Sequence, residues 1–161
     1  MDVPTTGRDY LSMAIEIATT NVLNAGGPFG ALVVAPDGRT FEGVNRVTAS
    51  NDPTAHAEVV AIRAAASGLG TFDLSGCTLY SSCEPCPMCL ASALWARIER
   101  VVFAADRHDA AHAGFDDAVF YDYFAQDADR ALMPVVREVP GAEAHLRPFR
   151  AWGELETRVD Y

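Results

Sequence analysis

Lysine is missing from this sequence. All twelve basic residues of the 161 are arginine, against 22 acidic residues, and the formal net charge is −10. Without lysine, the chain can carry neither a Schiff-base mechanism nor a Walker-type phosphate loop. The acidic balance also disfavours a nucleic-acid partner, because affinity for a phosphate backbone depends on basic contacts.

Long apolar runs are missing as well. No segment reaches the roughly 18 apolar residues of a membrane span, so we expect no membrane partner. The first residues have no basic start, and Glu16 interrupts the first apolar stretch, so the pattern does not predict a signal peptide. We therefore expect a cytoplasmic protein, in which clustered cysteines bind metal or perform chemistry more often than they form disulfides.

The apolar pattern predicts strands that alternate with helices. Helices are expected over residues 8–24, 54–67, 87–96, 115–125 and 148–156, and strands over 29–35, 40–47, 77–81, 100–105 and 133–139. Thr54 is the expected N-cap of the second helix. Trp95 and Trp152 are expected in the core. The alternation predicts one α/β domain over residues 1–161, with three layers around a five-stranded mixed sheet.

Three of the four cysteines lie three residues apart in the segment SSCEPCPMCL, at residues 81–90. A redox pair, either Cys83/Cys86 or Cys86/Cys89, is one interpretation. An iron–sulfur run needs a fourth cysteine downstream, and none follows Cys89. Cysteine can also act as a small buried hydrophobe, which is the interpretation we favour for Cys77 and Cys83.

Zinc is a further interpretation of this segment. About thirty residues upstream lies His56-Ala57-Glu58, and the two stretches together match the H-x-E…P-C-x-x-C pattern of zinc deaminases. Three protein ligands, His56, Cys86 and Cys89, leave the fourth tetrahedral position open for a water whose pKa the metal lowers. Glu58 is the carboxylate that takes the proton of this water. The pattern predicts one Zn²⁺ per chain.

The spacing of the pattern also predicts where its residues lie on their helices. In mid-helix, residues two apart point about 200° apart, so His56 and Glu58 would not face one site. Both can do so if His56 lies at the very start of its helix. Cys86 and Cys89 are likewise expected at a helix start, where the positive end of the dipole favours thiolates.

A family resemblance extends over nearly the whole chain. It rests on the segments GGPFGA (26–31), SNDPTAHAEV (50–59), SCEPCPMCL (82–90), WAR (95–97), AGFDD (113–117), PF-AW (148–152) and the terminal tyrosine. The sequence resembles the cytidine-deaminase-like superfamily and, within it, the bacterial guanine deaminases. The two zinc half-motifs specify only the superfamily, whereas AGFDD and the terminal tyrosine resemble the guanine deaminases.

The resemblance implies a cytidine-deaminase-like α/β/α fold and the conversion of guanine to xanthine and ammonia. It also implies a homodimer in which each C-terminal segment is swapped onto the partner's site. The zinc ligands it implies are His56, Cys86 and Cys89, with Glu58 as the proton shuttle and Asp117 as a carboxylate that contacts the base. The further base-contacting and closing positions that it implies are Phe29, Asn45, Ala57 and Tyr161.

The residues taken alone leave other interpretations open. The pair Asp116-Asp117 suits a helix N-terminus, Asn45 suits a strand bulge, and Phe29 suits the core. The substrate can be guanine, cytosine, a triazine such as ammeline, or a nucleoside. A tRNA adenosine deaminase is disfavoured by the acidic composition. A structural zinc module would normally need a fourth protein ligand, which Cys83 could supply only if it reached the metal.

Overall fold

Helices and strands alternate along the part of the chain that the structure, a computed structural model, describes: residues 7–139 and 141–161. In chain order they are α1 (Gly7–Leu23), β1 (Gly30–Val34), β2 (Thr40–Val44), α2 (Val47–Ser50), α3 (Ala57–Leu69), β3 (Thr78–Cys83), α4 (Pro87–Trp95), β4 (Arg100–Ala105), α5 (Arg107–His112), α6 (Ala118–Phe124) and α7 (Arg147–Glu154), the last preceded by a 3₁₀ turn (Ala144–Leu146).

The strands form one mixed sheet in the order β2-β1-β3-β4. β1 pairs antiparallel with both β2 and β3, and β3 pairs parallel with β4. The prediction of a fifth strand at 133–139 is wrong: among the described residues the sheet has four strands, and 133–139 has no regular structure. Its apolar side chains Val135 and Val136 are 68% and 75% exposed. The apolar residues of this segment therefore neither pack in the core nor belong to a strand of the sheet.

The two faces of the sheet are both covered because alternate residues of its strands are apolar. Ala31 and Val33 of β1 belong to a core that includes residues of α3 and α4. Leu32, on the opposite face, packs in a second core with Ala14 of α1 and Tyr80 of β3. Helices on both faces of one sheet give the three layers that the sequence predicts.

Several element boundaries differ from the sequence-based prediction. Helix α3 begins after His56 and not at Thr54, because the Thr54 amide and hydroxyl both donate to Asp52 Oδ1 in the preceding turn, at 2.9 and 2.7 Å. Strand β2 ends at Val44, so Asn45 follows the strand instead of lying in it. Helix α5 was not predicted. It is short and begins with a capping box formed by Asp106 and Asp109.

The chain divides into two compact units, Met1–Asp122 and Tyr123–Tyr161. The first holds the sheet and α1 to α5. The second holds the 3₁₀ turn and α7, where Arg150 pairs with Glu143 at 2.6 Å. Within it, Trp152 contacts Tyr161 edge-to-face with the ring centroids 6.4 Å apart.

The prediction that both tryptophans lie in the core is wrong. Trp95, the last residue of α4, is 71% exposed, and Trp152 of α7 is 40% exposed. Apolar size alone therefore did not indicate burial, since exposed apolar side chains are common on protein surfaces. None of the helices in the described part of the chain has the length and apolarity that a bilayer crossing requires.

Candidate active site

Helices α3 and α4 each have a residue of the predicted zinc set as their N-cap. His56 is the N-cap of α3 and Cys86 is the N-cap of α4, both in extended conformation with ψ of 153° and 170°. Pro87 occupies the first turn of α4, where its missing N–H costs nothing. Because an N-cap residue leaves the helical path, its side chain can share a site with a residue of the first turn. His56 does so with Glu58, and Cys86 does so with Cys89.

The three predicted ligands meet at their donor atoms. His56 Nδ1 lies 3.5 Å from Cys86 Sγ and 3.5 Å from Cys89 Sγ, and the two sulfurs are 3.6 Å apart. Zinc bonds of about 2.3 Å to sulfur and 2.0–2.1 Å to nitrogen, at a tetrahedral angle, require edges of about 3.8 Å between sulfurs and about 3.6 Å between sulfur and nitrogen. The observed triangle fits these edges, so the three residues can hold one zinc ion.

The electrostatics of the two ligand thiols favour a bound cation. The hydrogen bond between the two sulfurs, with a further one between Cys86 and His56, lowers the pKa of Cys86 to about 4. The same contact between the sulfurs, together with burial and the nearby Glu58, raises the pKa of Cys89. One thiolate is thus already favoured, and metal binding releases the remaining proton because the ligand form of cysteine is the thiolate.

Glu58 is a buried carboxyl beside this triangle. Its side chain is 5% exposed, and its Oε1 accepts a hydrogen bond of 2.9 Å from the Ser81 hydroxyl. Its Oε2 lies 3.4 Å from Cys89 Sγ. Burial raises the pKa of Glu58 above the ordinary glutamate value, which brings it toward the range useful for proton transfer near neutral pH.

Cys83 takes no part in the triangle. Its Sγ contacts the backbone oxygen of Asp106 at 3.8 Å, and burial raises its pKa to about 11. Within the described residues, the group of side chains arranged to hold a metal contains His56, Cys86 and Cys89 only. A three-ligand set is typical of catalytic zinc sites, whereas structural sites normally have four protein ligands.

A cavity of about 570 Å³ opens onto the triangle. This volume lies within the usual range of about 300–1,000 Å³ for small-molecule sites. Among the predicted site residues, those that line the cavity are Phe29, Asn45, His56, Glu58, Cys86 and Asp117. Cys89 and Ala57 are fully buried, and Ala57 belongs to the core under α3. Tyr161 lies in the second unit and is 74% exposed.

The aromatic and amide residues of the cavity wall are held by their neighbours. The ring of Phe29 contacts Phe115 edge-to-face with the ring centroids 5.0 Å apart, and Phe29 also packs against the core. Phe29 is therefore both a residue of the cavity wall and a neighbour of the core. Asn45 Oδ1 accepts from the Val47 amide at 3.3 Å. The side chain of Asn21 donates to the backbone oxygens of Gly27 and Asn45, at 2.8 and 3.0 Å, and joins the two wall segments.

The two acidic residues before α6 have different surroundings. Asp116 Oδ1 accepts a hydrogen bond of 3.0 Å from the Ala118 amide, which is the helix-end role that the residues alone suggested for the pair. Asp117 is half-buried and lines the cavity, and this burial raises the pKa of its carboxyl. Both residues line the cavity, but the Asp116 carboxylate already accepts a hydrogen bond at the start of α6, so Asp117 is the stronger candidate for contacting a substrate.

Several residues of the site were not predicted. Ser81 is one: it lies in β3 next to a second buried serine, Ser82, and although a buried hydroxyl needs a partner, the sequence alone does not tell which of the two serines contacts the site. Asn21, near the end of α1, gave no comparable signal. Glu84 and Arg107 line the cavity and pair over 23 residues, and Tyr121 donates to Pro85 over 36 residues; sequence spacing does not indicate contacts at such separations.

The fold and the zinc-binding triangle define the class of protein. Residues 4–105 match the family model described as the cytidine and deoxycytidylate deaminase zinc-binding region, and the chain belongs to this family of zinc deaminases.

Particular relatives are similar over most of the chain. Guanine deaminase of Bacillus subtilis is 45% identical over 153 residues, which covers 94% of this chain and 97% of the relative. A crystal structure of guanine deaminase from Bacillus subtilis superposes with a TM-score of 0.87 and 43% identity, covering 97% of this chain and 99% of that one. The tRNA-specific adenosine deaminase of Aquifex aeolicus is 38% identical over 109 residues, 67% of this chain and 71% of its own length.

Proposed function

We propose that this protein is a zinc-dependent hydrolase that converts guanine and water to xanthine and ammonia. The observation that carries the proposal is the triangle of His56, Cys86 and Cys89 with the buried carboxyl of Glu58 beside it, in a cavity that also contains Asp117. The similarity to guanine deaminase over more than nine-tenths of the chain supports guanine as the substrate.

Proton transfer is the task of Glu58 in this proposal. Zinc held by His56, Cys86 and Cys89 supplies an activated water when it is bound. Glu58 takes a proton from that water and delivers it to the base as oxygen adds to the carbon that carries the amino group. Glu58 then transfers the proton of the added hydroxyl to the amino group, which leaves as ammonia as the carbon–oxygen bond becomes the carbonyl of xanthine. The hydroxyl of Ser81 keeps Oε1 in place during these transfers.

Recognition of the base falls to the cavity wall. Guanine presents ring and amino N–H donors, and the carboxylate of Asp117 can accept them in an otherwise largely apolar cavity. Phe29 and Phe115 offer aromatic surface for a flat base. Asn45 supplies a polar side chain on the same wall, and Ala57 follows the ligand His56 directly at the start of α3.

We propose that the working form is a cytoplasmic homodimer of a single deaminase domain, in which the C-terminal segment ending at Tyr161 covers the partner's site. The family resemblance motivates this assembly. The exposed apolar side chains of the second unit support it, because such side chains are expected to be covered in an assembly: Val135, Val136, Phe149, Val159 and Tyr161. An aromatic lid also excludes water, which strengthens electrostatic interactions in the site.

RNA editing is the second candidate, since a tRNA-specific adenosine deaminase is similar to two-thirds of the chain. The net charge of −10 and the absence of lysine make this candidate weaker, because binding to an RNA backbone depends on basic contacts. Cytosine, ammeline and cytidine remain alternatives because each presents an amino group on an amidine carbon.

A substrate panel tests the proposal. Purified zinc-loaded protein is incubated with guanine, cytosine, ammeline, cytidine, adenine or tRNA, and ammonia release is measured as kcat/KM. We expect the highest value for guanine, with one xanthine formed per ammonia. Protein stripped of metal by a chelator is the control and should release no ammonia. A higher kcat/KM for tRNA adenosine or for cytosine would contradict the assignment.

A further inference from the structure

Glu84 and Arg107 form a close ion pair at the edge of the cavity. Arg107 Nη2 and Nε donate to Glu84 Oε1, at 2.6 and 3.1 Å, and the Arg107 amide donates to Oε2 at 2.9 Å. The Glu84 side chain is only 16% exposed, and the arginine contacts hold the pKa of its carboxyl below the usual range. Three donors on one carboxylate fix the position of Glu84 more firmly than a solvent-exposed pair would.

Tyr121 extends this contact to a third element. The Arg107 guanidinium lies over the Tyr121 ring, 3.7 Å from its centroid, an arrangement that favours the cation on the aromatic face. The Tyr121 hydroxyl donates to the backbone oxygen of Pro85 at 3.0 Å. Pro85 is fully buried, so this oxygen would otherwise be an unsatisfied polar group. We refer to Glu84, Arg107 and Tyr121 together as the brace.

The brace connects two parts of the candidate site that are distant in sequence. Glu84 and Pro85 directly precede Cys86, the zinc ligand that caps α4. Arg107 holds Glu84, and Tyr121 holds the backbone oxygen of Pro85. Tyr121 also lies in α6, one turn after Asp117. Cys86 and Asp117 both line the cavity. Any shift of α6 relative to the start of α4 would therefore change the distance between the metal site and the carboxylate.

We propose that the brace positions the zinc ligand Cys86 and the carboxylate of Asp117 relative to one another, and that Arg107 and Tyr121 are positioning residues of the reaction. The proposal concerning Asp117 rests on the proposed guanine deaminase activity, whereas the proposal concerning Cys86 is independent of the substrate. Neither residue needs to touch the base. Each acts by holding Cys86 and Asp117 in place.

Zinc release tests the Cys86 part without any substrate. Tyr121→Phe keeps the ring under Arg107 and removes only the hydroxyl that Pro85 accepts. Transfer of zinc to a colorimetric chelator should be about 10–100-fold faster in Tyr121→Phe than in wild type, the usual effect of losing a group that supports a metal ligand. Tyr80→Phe is the matched control: Tyr80 packs against α1 on the opposite face of the sheet, and its release rate should equal that of wild type.

A double-mutant cycle tests the Asp117 part. Tyr121→Phe should lower kcat/KM for guanine about tenfold, while zinc content stays near one per chain. If Tyr121 acts through Asp117, the same change should cost less than about twofold in an Asp117→Asn background, because interacting residues are not additive. A merely structural role would lower the melting temperature and reduce activity equally in both backgrounds.

Arg107→Lys supplies a second variant in case Tyr121→Phe does not fold. Lysine retains a charge for Glu84 but loses the forked contact and the stacking on Tyr121, so it should show the same two effects to a smaller degree than Arg107→Ala. Wild-type zinc release in Tyr121→Phe and Arg107→Ala, or additive losses with Asp117→Asn, would overturn the inference. Absence of guanine turnover by wild type would instead overturn the proposed function, and zinc release would still decide the Cys86 part.

Discussion

Cys83 and Cys86 are three residues apart in sequence, yet their sulfur atoms have opposite surroundings. Cys83 lies at the end of β3 in a buried position, where the pKa of its thiol is raised to about 11. Cys86 caps α4 beside Cys89 and His56, where its pKa is lowered to about 4. Cys86 Sγ belongs, with His56 and Cys89, to the group of donor atoms that can hold a metal ion, whereas Cys83 Sγ does not.

This contrast predicts different effects of the same substitution. Cys86→Ser should lose zinc, because serine cannot replace a thiolate ligand at neutral pH. Cys83→Ser should keep close to one zinc per chain, since its Sγ contacts only a backbone oxygen among the contacts described. Metal content of the purified variants, measured by mass spectrometry, checks both outcomes. Zinc loss in Cys83→Ser would show that the ligand set is wrong.

Asp117 gives a prediction about substrate choice. Asp117→Asn removes a charge-assisted acceptor, whose loss costs roughly 1.5–3 kcal/mol, or about ten- to a hundred-fold in kcat/KM. Guanine should suffer this loss, and cytosine or ammeline should suffer less because they offer different N–H donors. The matched control is Asp116→Asn, which changes the same charge at the neighbouring position and should leave the guanine to cytosine ratio unchanged. Equal losses on every substrate would assign Asp117 to general catalysis or folding.

At the residue scale, the grouping of His56, Glu58, Cys86 and Cys89 was predictable from the sequence, and the side chains that hold them in place were not. His56, Glu58, Cys86 and Cys89 are close in sequence within each half-motif, and helix geometry limits where such short spacings can place side chains. The Ser81 contact to Glu58 joins residues 23 apart, and only the folded sheet brings them together. The prediction of Thr54 as the N-cap was wrong because the Thr54 amide and hydroxyl donate to Asp52 in the preceding turn, and the helix begins after His56.

At the scale of elements, α3 lies unusually close to the sheet. A Cβ atom at Gly43 of β2 would overlap the Ala57 oxygen and the Ala61 nitrogen of α3. Glycine therefore allows the start of α3, which presents His56 and Glu58, to approach the strand. The position of the ligand-bearing helix depends on this close contact.

Gly43→Ala should destabilise the protein by about 1–3 kcal/mol or more, because overpacking at this backbone contact forces α3 outward. Melting temperature should fall by several degrees, and zinc affinity should fall with it as His56 moves. Differential scanning calorimetry and a chelator titration measure the two effects. Gly153→Ala in α7 is the control, since a Cβ there meets nothing within 4 Å and alanine is the better helix former. A wild-type melting temperature for Gly43→Ala would contradict the packing described.

The order of β1 to β4 and of the helices α1, α3, α4, α6 and α7 followed from the sequence, whereas the short helices α2 and α5 were not predicted and the expected fifth strand is absent from the described residues. β1 to β4 are bounded by turn residues and pair with neighbours in the described chain. Residues 133–139 have comparable apolar content, but no described strand pairs with them. Apolar composition indicates that a segment can adopt extended backbone, whereas a strand also needs a neighbouring strand to pair with its backbone N–H and C=O groups.

At the scale of the whole molecule, the proposed dimer makes the C-terminal segment part of the site. Deleting residues 157–161 should leave a folded dimer and lower guanine turnover by about tenfold or more, because an uncovered site admits water. Sedimentation, melting temperature and turnover are measured on the same preparation. Full activity of the truncated protein would show that the segment is not a lid.

A mixing experiment separates a swapped lid from a lid within one chain. Truncated protein has intact sites without tails, and full-length Glu58→Gln has intact tails over inactive sites. After subunit exchange, mixed dimers of a swapped protein place an intact tail over an intact site, and some activity should return. No recovery, with mixed dimers demonstrated by mass, would mean that each tail serves its own chain.

The most direct test of the central claim is the turnover of guanine by Glu58→Gln. Glutamine keeps the volume of the side chain and an oxygen for the Ser81 hydroxyl, but it cannot carry a proton between water and base. The account predicts unchanged zinc content and fold with kcat lowered at least to the upper end of the roughly 10²–10⁴-fold range of general acid–base catalysis. Turnover within tenfold of wild type, at full zinc occupancy, would contradict it.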